Sequence, residues 1–138
     1  MKVKIIKFDN YDKAPLRVHY NDAGADVYST YEMMVAPHTT VKIPLGFGLE
    51  LPDGFMACIF PRSSCASKGL VAQLPPIDSG YRGQIHAILT NTTDESIYIN
   101  IDDKVGQIVV MPIILCEFVE ELGNERGTGA FGSTNKIK

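Results

Sequence analysis

Several features that mark other classes of protein are missing from this sequence. It has no tryptophan, and no apolar run is long enough to span a membrane. Basic residues are not in excess either, since 13 lysines and arginines stand against 16 aspartates and glutamates, a formal charge of −3. A nucleic-acid-binding protein normally presents a basic face. We therefore expect neither nucleic acid nor a membrane among the partners, although a small anionic ligand needs only a few local cations.

Cysteine and histidine are also scarce. The six residues are Cys58, Cys65, Cys116, His19, His38 and His86. An odd number of cysteines without framework spacing predicts reduced thiols in a cytoplasmic compartment. The histidines lie far apart and near no cysteine pair, so a zinc site has no support. Walker A, Rossmann and G-x-S-x-G motifs are absent as well, which leaves the common nucleotide-loop and serine-hydrolase sites without support.

The strongest pattern in the chain is that of β-strands. Residues 3–8, VKIIKF, and residues 96–101, SIYINI, alternate between apolar and polar side chains, as half-buried strands do. Pro52-Asp53-Gly54 is a turn tripeptide, because proline presets φ and glycine accepts a positive φ. Residues 106–122 are rich in β-branched side chains, and Pro112 is predicted to mark a bend or a sheet edge.

Turn residues and chain length indicate the fold class. Glycine, proline and asparagine recur about every eight to twelve residues, the spacing expected of an all-β sandwich or barrel. Only residues 63–74 favour a helix, and a short one. A chain of 138 residues can bury its own core as one domain. We predict a single all-β domain over residues 1–138, in which about residues 124–138 form a flexible, glycine-rich C-terminal arm.

Five short stretches combine small and charged residues in a way that packing does not require. They are DAGADVYS at 22–29, PRSSCASKG at 61–69, LPPIDSGYRG at 74–83, DKVGQ at 103–107 and RGTGAFGST at 126–134. In the second, the proline, Arg62 and two serines suit the start of a helical turn, whose free N–H groups and hydroxyls bind phosphate oxygens. A strand end with a serine cap explains that stretch equally well.

The third stretch places an acid beside an aromatic ring on one hairpin. Asp78 stands where a strand enters a turn, so its carboxylate can face a cavity and take a proton from water. Tyr81 offers a flat apolar face to a sugar or a base. Taken alone, Asp78-Ser79-Gly80 is more simply a turn, since aspartate and glycine are favoured there.

The fourth and fifth stretches carry weaker signals. Gln107 follows a lysine–glycine turn and can donate to an oxygen, or it can simply begin a strand. Arg126 and Phe131 lie in a glycine-rich segment that can fold over a bound anion and ring, or form a plain tail.

Together and in this order, the five stretches resemble the motifs of the trimeric deoxyuridine triphosphatases (dUTPases). AGADVYS, PRSS, IDSGYRG, GQIVV and RGTGAFGST carry the resemblance over about residues 22–134. It implies a jelly-roll-like β-sandwich or barrel, and an enzyme that hydrolyses dUTP to dUMP and pyrophosphate. Such an enzyme limits uracil incorporation into DNA and supplies dUMP for thymidylate synthesis.

The resemblance also assigns roles to residues. It implies that Asp78 activates the water that attacks the α-phosphorus, and that Asp26 holds the expected cofactor, Mg²⁺, through water. Tyr81 packs against the deoxyribose and excludes a 2′-hydroxyl, and the hairpin backbone reads uracil. The other substrate-binding residues it implies are Arg62, Ser63, Ser64 and Gln107 at the phosphates, Gln73, Pro76, Ile77 and His86 around the nucleoside, and Arg126, Phe131, Gly132 and Ser133 in the arm.

The family implies an assembly as well. It is a homotrimer with shared active sites, each built from motifs of different subunits, in which the arm closes over a neighbour's pocket. The small-molecule partners are then dUTP, dUMP and pyrophosphate. We expect a cytoplasmic location, or the cytoplasm of a host cell if the source is viral.

Two departures from the family pattern bear on the site. Ser64 stands where the family usually has glycine, and a serine fits there if its φ is negative. Pro75-Pro76 replace a glycine and an aliphatic residue, and each proline removes a backbone N–H. One contact to the base is therefore expected to be altered or supplied elsewhere.

Two other functions compete with dUTP hydrolysis. The dCTP deaminases have a similar Arg-Ser-Ser stretch and Ile-Asp turn, but they need a glutamate on the strand that leaves the hairpin. Ile88 occupies that position here, which disfavours deamination. A nucleotide-switched protein-binding regulator is the alternative from a different class, and a compact chain without an inserted segment favours the plain enzyme.

Overall fold

The computed structural model describes residues 1–123, which form ten β-strands and one short helix. In chain order they are β1 (Lys4–Lys7), β2 (Ala25–Tyr28), β3 (Met33–Val35), β4 (Thr40–Pro44), β5 (Phe47–Glu50), β6 (Phe55–Phe60), α1 (Ser63–Ser67), β7 (Leu70–Gln73), β8 (His86–Asn91), β9 (Ile97–Ile99) and β10 (Lys104–Pro112). The all-β prediction is confirmed, and the helix lies where the sequence favours it. No helix in the described part is long and apolar enough to cross a membrane.

The strands pair antiparallel in four small sheets. Two sheets have three strands, in the orders β2-β10-β6 and β4-β8-β7, and the other two are the pairs β1-β5 and β3-β9. Strand β10, late in the chain, lies between β2 and β6. Long-range pairings of this kind bring the scattered motif stretches to a few shared edges.

Each three-stranded sheet buries one face. Along β8, Ala87 and Leu89 are fully buried, whereas His86 and Ile88 alternate to the outer face. Fully or almost fully buried side chains at the centre of the core include Val27, Val35, Ile43, Phe47, Leu89 and Val105. The outer face of the β4-β8-β7 sheet is thereby left to partly exposed side chains, and it is available to line a site.

The chain after β10 differs from the expectation. The turn at Pro52-Asp53-Gly54 is confirmed, with Gly54 at φ +86°, but β10 ends at Pro112 although β-branched residues continue to residue 119. Residues 113–123 form no strand. Their large apolar side chains stay exposed, namely Ile114, Leu115, Phe118, Val119 and Leu122. The preference of β-branched residues for strands comes largely from packing against neighbouring strands. Residues 113–123 pair with no strand of the described chain, so their composition alone does not make them a strand.

Candidate active site

Strand β10 brings three of the five motif stretches together. Gln107 on β10 is the register partner of Asp26 on β2 and, across the other edge, of Phe60 on β6. Because β6 runs into the second stretch, that stretch begins beside Gln107, whose Nε2 donates a hydrogen bond to the Pro61 carbonyl at 3.0 Å. The β10 cluster is defined here as Asp26, Arg62, Lys104 and Gln107.

A β-bulge puts Lys104 and Gln107 on the same face of β10. In a regular strand, residues three apart point to opposite faces. Here the register passes from Lys104 opposite Tyr28 to Gly106 opposite Val27, so one residue of β10 is extra. The extra residue reverses the alternation. Both side chains consequently lie on the face that carries Asp26.

Two cations flank one largely buried carboxylate in the β10 cluster. The side chain of Asp26 is 13% exposed; its Oδ1 lies 3.5 Å from Nε of Arg62, and its Oδ2 lies 3.3 Å from Nζ of Lys104. The carboxylate holds both cations in place, and the three charges sum to one positive charge. Such a site attracts an anion, and the planar guanidinium of Arg62 matches phosphate oxygens.

Helix α1 begins directly after Arg62, as the second stretch predicts. Arg62 is the N-cap, with an extended backbone, and its carbonyl accepts the amides of Cys65 and Ala66 at 3.1 and 3.0 Å. The amides of Ser63 and Ser64 precede these helical bonds and are not used by the helix. Both serines are exposed. Ser64 has a helical, negative φ, so the replacement of the family glycine is accommodated without backbone strain.

Cys65, in the same helix, is not suited to act as a nucleophile. Its thiol is buried, and burial raises the pKa of this thiol above its usual value. A thiol becomes reactive when its pKa falls and it is exposed. Cys65 is therefore a small buried residue that helps to pack helix α1.

A second group of predicted residues lines a pocket of about 240 Å³ beside the third stretch. This hairpin pocket is lined by Lys42, Ile59, Gln73, Pro75, Pro76, Ile77, Asp78, Tyr81, Gln84, Ile85, His86 and Ile88. Lys42, Gln73, His86 and Ile88 come from the outer face of the β4-β8-β7 sheet. Among residues 1–123, Asp78 is the one carboxylate in the lining, so it is the described carboxylate placed for acid–base chemistry in this pocket.

Hydrogen bonds hold the hairpin that carries Asp78 and Tyr81. Ile77 pairs with Ala57 on β6 through two backbone hydrogen bonds of 2.7 and 3.0 Å. The Tyr81 amide closes a turn on the Asp78 carbonyl at 3.1 Å. The Tyr81 hydroxyl donates to the Gln84 carbonyl at 2.8 Å. The carboxylate and the ring are thus presented to the pocket from one fixed turn.

The same bonds bear on how the hairpin backbone can read a base. Pro75 and Pro76 have no N–H, and the N–H of Ile77 is committed to the Ala57 carbonyl at 2.7 Å. The backbone of residues 75–77 therefore has no free N–H to donate to a base. The Gln73 side chain lines the same pocket, and its Nε2 donates one N–H to Oγ1 of Thr90 at 3.1 Å, which leaves the second N–H as a donor.

Comparison with known proteins identifies the family. The dUTPase family model matches residues 10–135. The deoxyuridine 5'-triphosphate nucleotidohydrolase of Clostridium tetani (strain Massachusetts / E88) is 38% identical over 143 residues, covering 99% of this chain and 97% of that protein. The chain belongs to the dUTPase family. It is therefore an enzyme of the dUTP diphosphatase class, as the sequence predicts. The enzyme of the same name from Alkaliphilus metalliredigens (strain QYMF) is also 38% identical, over 96% of each chain.

A solved dUTPase has the same fold. A mutant dUTPase from phage phi11 of S. aureus matches with a TM-score of 0.81 at 24% sequence identity, over 88% of this chain and 99% of that chain. That structure is described as revealing the coordination of a structural Mg(II) ion. The predicted jelly-roll-like β fold is confirmed.

The residues predicted from the dUTPase motifs fall into two groups within the described chain. Asp26, Arg62 and Gln107 meet in the β10 cluster, with Ser63 and Ser64 beside it. The hairpin pocket gathers the rest of the described set, which is Gln73, Pro76, Ile77, Asp78, Tyr81 and His86. No member of the β10 cluster lines the hairpin pocket. The predicted arm residues Arg126, Phe131, Gly132 and Ser133 lie outside the described residues.

Sequence reasoning missed three polar residues of this dUTPase site. Lys104 lies in the fourth stretch but has no predicted role, and in a regular strand its spacing from Gln107 would place it on the opposite face. Lys42 and Gln84 line the hairpin pocket from positions that no motif marks. The local signal for Gln84 is its position directly after the Tyr81-Arg82-Gly83 run of the third stretch.

Gly106 allows the strands that carry the β10 cluster to pack closely. A Cβ on this residue would lie 2.7 Å from Cγ2 of Ile59 and 3.1 Å from the Phe60 carbonyl oxygen. We expect Gly106→Ala to lower the free energy of unfolding by about 1–3 kcal/mol, the cost of overpacking a filled core. The measurement is a urea unfolding curve. Gly123→Ala is the control, since nothing in residues 1–123 lies within 4 Å of its added Cβ. Equal midpoints for the two variants contradict the prediction.

Proposed function

We propose that this chain hydrolyses dUTP to dUMP and pyrophosphate, and that Asp78 takes a proton from the water that attacks the α-phosphorus. The observation that supports this most directly is the position of Asp78, which is the one carboxylate that the described chain contributes to the hairpin pocket and lies on the same turn as Tyr81. A carboxylate at the wall of a cleft can orient a water molecule and accept its proton. The rest of the reaction needs positioned phosphates with neutralised charge.

The nucleoside is proposed to bind in the hairpin pocket, with Pro76, Ile77 and His86 around it. Because the Tyr81 hydroxyl is engaged by the Gln84 carbonyl, the face of the ring is left to contact the deoxyribose and exclude a 2′-hydroxyl. With no free N–H at residues 75–77, the Gln73 amide is the proposed donor to uracil. Cytosine exchanges a donor for an acceptor at this edge, which leaves buried groups unpaired.

The triphosphate is proposed to bind the β10 cluster and the start of α1. Arg62 and the two serines after it supply charge, hydroxyls and free amides, and Gln107 adds a further donor. Lys104 adds a second cation at 3.3 Å from Asp26. These groups offset phosphate charge in the ground state and as charge shifts toward the leaving pyrophosphate.

The β10 cluster fits a magnesium ion that arrives with the substrate. Among residues 1–123, no group of three or more His, Cys, Asp and Glu side chains is placed to hold a metal ion. Mg²⁺ usually keeps several waters and binds through one or two carboxylates plus substrate phosphates, which suits the lone Asp26. We propose that Asp26 holds Mg²⁺ through water. When bound, the ion neutralises phosphate charge.

We propose that the β10 cluster and the hairpin pocket complete one site between copies of a homotrimer. Within one chain the two groups are separate. The exposed apolar side chains of residues 113–123, such as Phe118 at 92% and Leu122 at 87%, also favour burial against another copy. The arm would add Arg126 at the γ-phosphate, Phe131 over the uracil, and Gly132 and Ser133 along the phosphates.

The competing functions are not favoured. Ile88 lines the hairpin pocket at the position where a dCTP deaminase needs a glutamate, and Asp78 is the one acid that residues 1–123 place in that lining. Helix α1, β7 and the hairpin follow one another closely between residues 63 and 81, so this part of the chain contains no inserted segment for a regulatory partner. We propose the plain enzyme, acting in the cytoplasm of a cell or host to limit uracil in DNA and to supply dUMP.

The direct test is pyrophosphate release from dUTP, dTTP, dCTP and UTP, each with Mg²⁺. We expect dUTP to be hydrolysed with the highest kcat/KM, and dCTP about 10⁴-fold less efficiently, as when polar groups of a site are left unpaired. Ammonia release from dCTP would indicate a deaminase. Absence of pyrophosphate from every nucleotide would refute the proposed function.

A further inference from the structure

Gln84 connects the hairpin to the core through its side chain. Its Oε1 accepts two hydrogen bonds, from the Gly46 amide at 2.8 Å and from Nδ2 of Asn10 at 2.7 Å. Asn10 also donates to Oγ1 of Thr30 at 3.1 Å, and Thr30 donates to the Pro44 carbonyl at 2.7 Å. One side-chain oxygen thus ties residue 84 to the β4–β5 turn and to the N-terminal segment.

The main chain of Gln84 holds two side chains of the hairpin pocket. Its carbonyl oxygen accepts the Tyr81 hydroxyl at 2.8 Å, and Nδ1 of His86 lies 3.2 Å from the same oxygen. The Tyr81 ring lies close over Gly83, where a Cβ would come within 2.6 Å of the ring carbon Cζ. The orientation of the ring therefore depends on where the carbonyl of residue 84 is held.

We propose that Gln84 is a positioning residue that sets the Tyr81 ring, and through the ring the preference for a 2′-deoxyribose. The inference rests on the proposed function, because it concerns selection between dUTP and UTP. Gln84 acts through Tyr81, whose hydroxyl has its partner in the Gln84 carbonyl. No role for the Gln84 side chain at the phosphates or at the attacking water is implied.

The physical reason is the shared acceptor. Without Oε1, the Gly46 amide loses its partner and the Asn10 amide keeps only Thr30, which leaves partly buried N–H groups unpaired. The main chain at residue 84 is then free to shift toward other partners. A site that excludes one hydroxyl group works only while its wall is held within about 0.5 Å. A displaced Tyr81 ring admits the 2′-hydroxyl of UTP.

Three variants test this. Gln84→Met keeps the length of the side chain but removes the acceptor, Gln84→Glu keeps an acceptor for both donors, and Tyr81→Phe removes the hydroxyl bond alone. The measurement is the ratio of kcat/KM for dUTP to that for UTP, because a general loss of stability lowers both values and leaves the ratio unchanged. We expect Gln84→Met and Tyr81→Phe each to lower the ratio about tenfold, as for loss of one hydrogen bond.

The control variants distinguish a loss of Tyr81 positioning from a general disruption of the structure. Gln84→Glu is expected to keep the ratio within about twofold, since a carboxylate oxygen accepts the same two bonds. Gln84→Met with Tyr81→Phe is expected to lower the ratio no further than either change alone, because both break one connected path. If Gln84→Met does not fold, Asn10→Ala, which removes one of the two donors to Oε1, is expected to lower the ratio in part.

An NMR measurement tests the position of the Tyr81 ring independently of enzyme activity. We expect a nuclear Overhauser contact between the Tyr81 ring and the Gly83 α-protons in the parent and in Gln84→Glu, and its loss in Gln84→Met. A ratio and a contact that are unchanged in Gln84→Met, or in Asn10→Ala if that is the variant measured, refute the inference. A parent protein that releases no pyrophosphate from dUTP refutes the proposed function instead, so the two failures are distinguishable.

Discussion

Asp78→Asn is expected to lower kcat for dUTP by about a thousandfold, within the contribution that a positioned general base makes. Asparagine fills the same space on the same turn, so the hairpin, the Tyr81 ring and the pocket are kept. What is lost is the oxygen that accepts the proton of the attacking water. Binding should persist, since removing a negative charge near a triphosphate does not weaken its attraction to the protein.

Steady-state pyrophosphate release gives kcat, and titration with the non-hydrolysable analogue α,β-imido-dUTP gives Kd. The Kd of Asp78→Asn is expected to stay within about threefold of the parent value, because the substitution removes only a repulsive charge. The matched control is Asp94→Asn, the same chemical change at an exposed aspartate whose one ionic partner within residues 1–123 is His38. It is expected to leave kcat unchanged. Turnover of Asp78→Asn at the parent rate would show that another group activates the water.

Local sequence signals predict the strands of this fold but not how they are placed. The alternation in residues 3–8 and 96–101, and the turn before residue 55, all mark elements that the structure contains. The pairing of β10 with both β2 and β6 has no local signal, because long-range register is decided by burial and by bulges. Residues 113–123 carry strand-forming side chains, yet they form no strand where no strand pairs with them.

For the candidate site, too, the sequence predicts the residues but not how they are placed relative to one another. The motif stretches indicate that Asp26, Arg62, Asp78, Tyr81 and Gln107 carry the chemistry, and each lies in one of two polar groups on the structure. Their separation into two groups is invisible in the sequence, because motif order does not say which stretches come together in the fold.

Pro75-Pro76 signals from sequence alone that base recognition differs from the family pattern. The commitment of the Ile77 amide to Ala57 appears only once the bridge to β6 is seen. The positions of Lys104 and Gln84 also depend on tertiary structure. Lys104 joins the β10 cluster because of the bulge, and Gln84 is recognised by its four hydrogen-bonding contacts.

Mixing two inactive variants is expected to restore part of the dUTP-hydrolysing activity. Arg62→Met removes the guanidinium of the β10 cluster, and Asp78→Asn removes the proposed base of the hairpin pocket, so each variant alone is expected to be nearly inactive. If one site takes its β10 cluster and its hairpin pocket from different copies, a mixed trimer contains sites in which both parts are intact. Random equimolar mixing restores about one site in four, since each part has an even chance of being intact.

The most direct test of this shared-site account is the pyrophosphate-release rate of the two variants, denatured together and refolded as a mixture. The account predicts about a quarter of the parent activity, from components that show almost none when refolded separately. A mixture of Asp78→Asn with Asp78→Ala is the matched control and is expected to stay inactive, because both defects lie in the same part of the site. An Arg62→Met and Asp78→Asn mixture that shows only the mean of its two components would contradict the account.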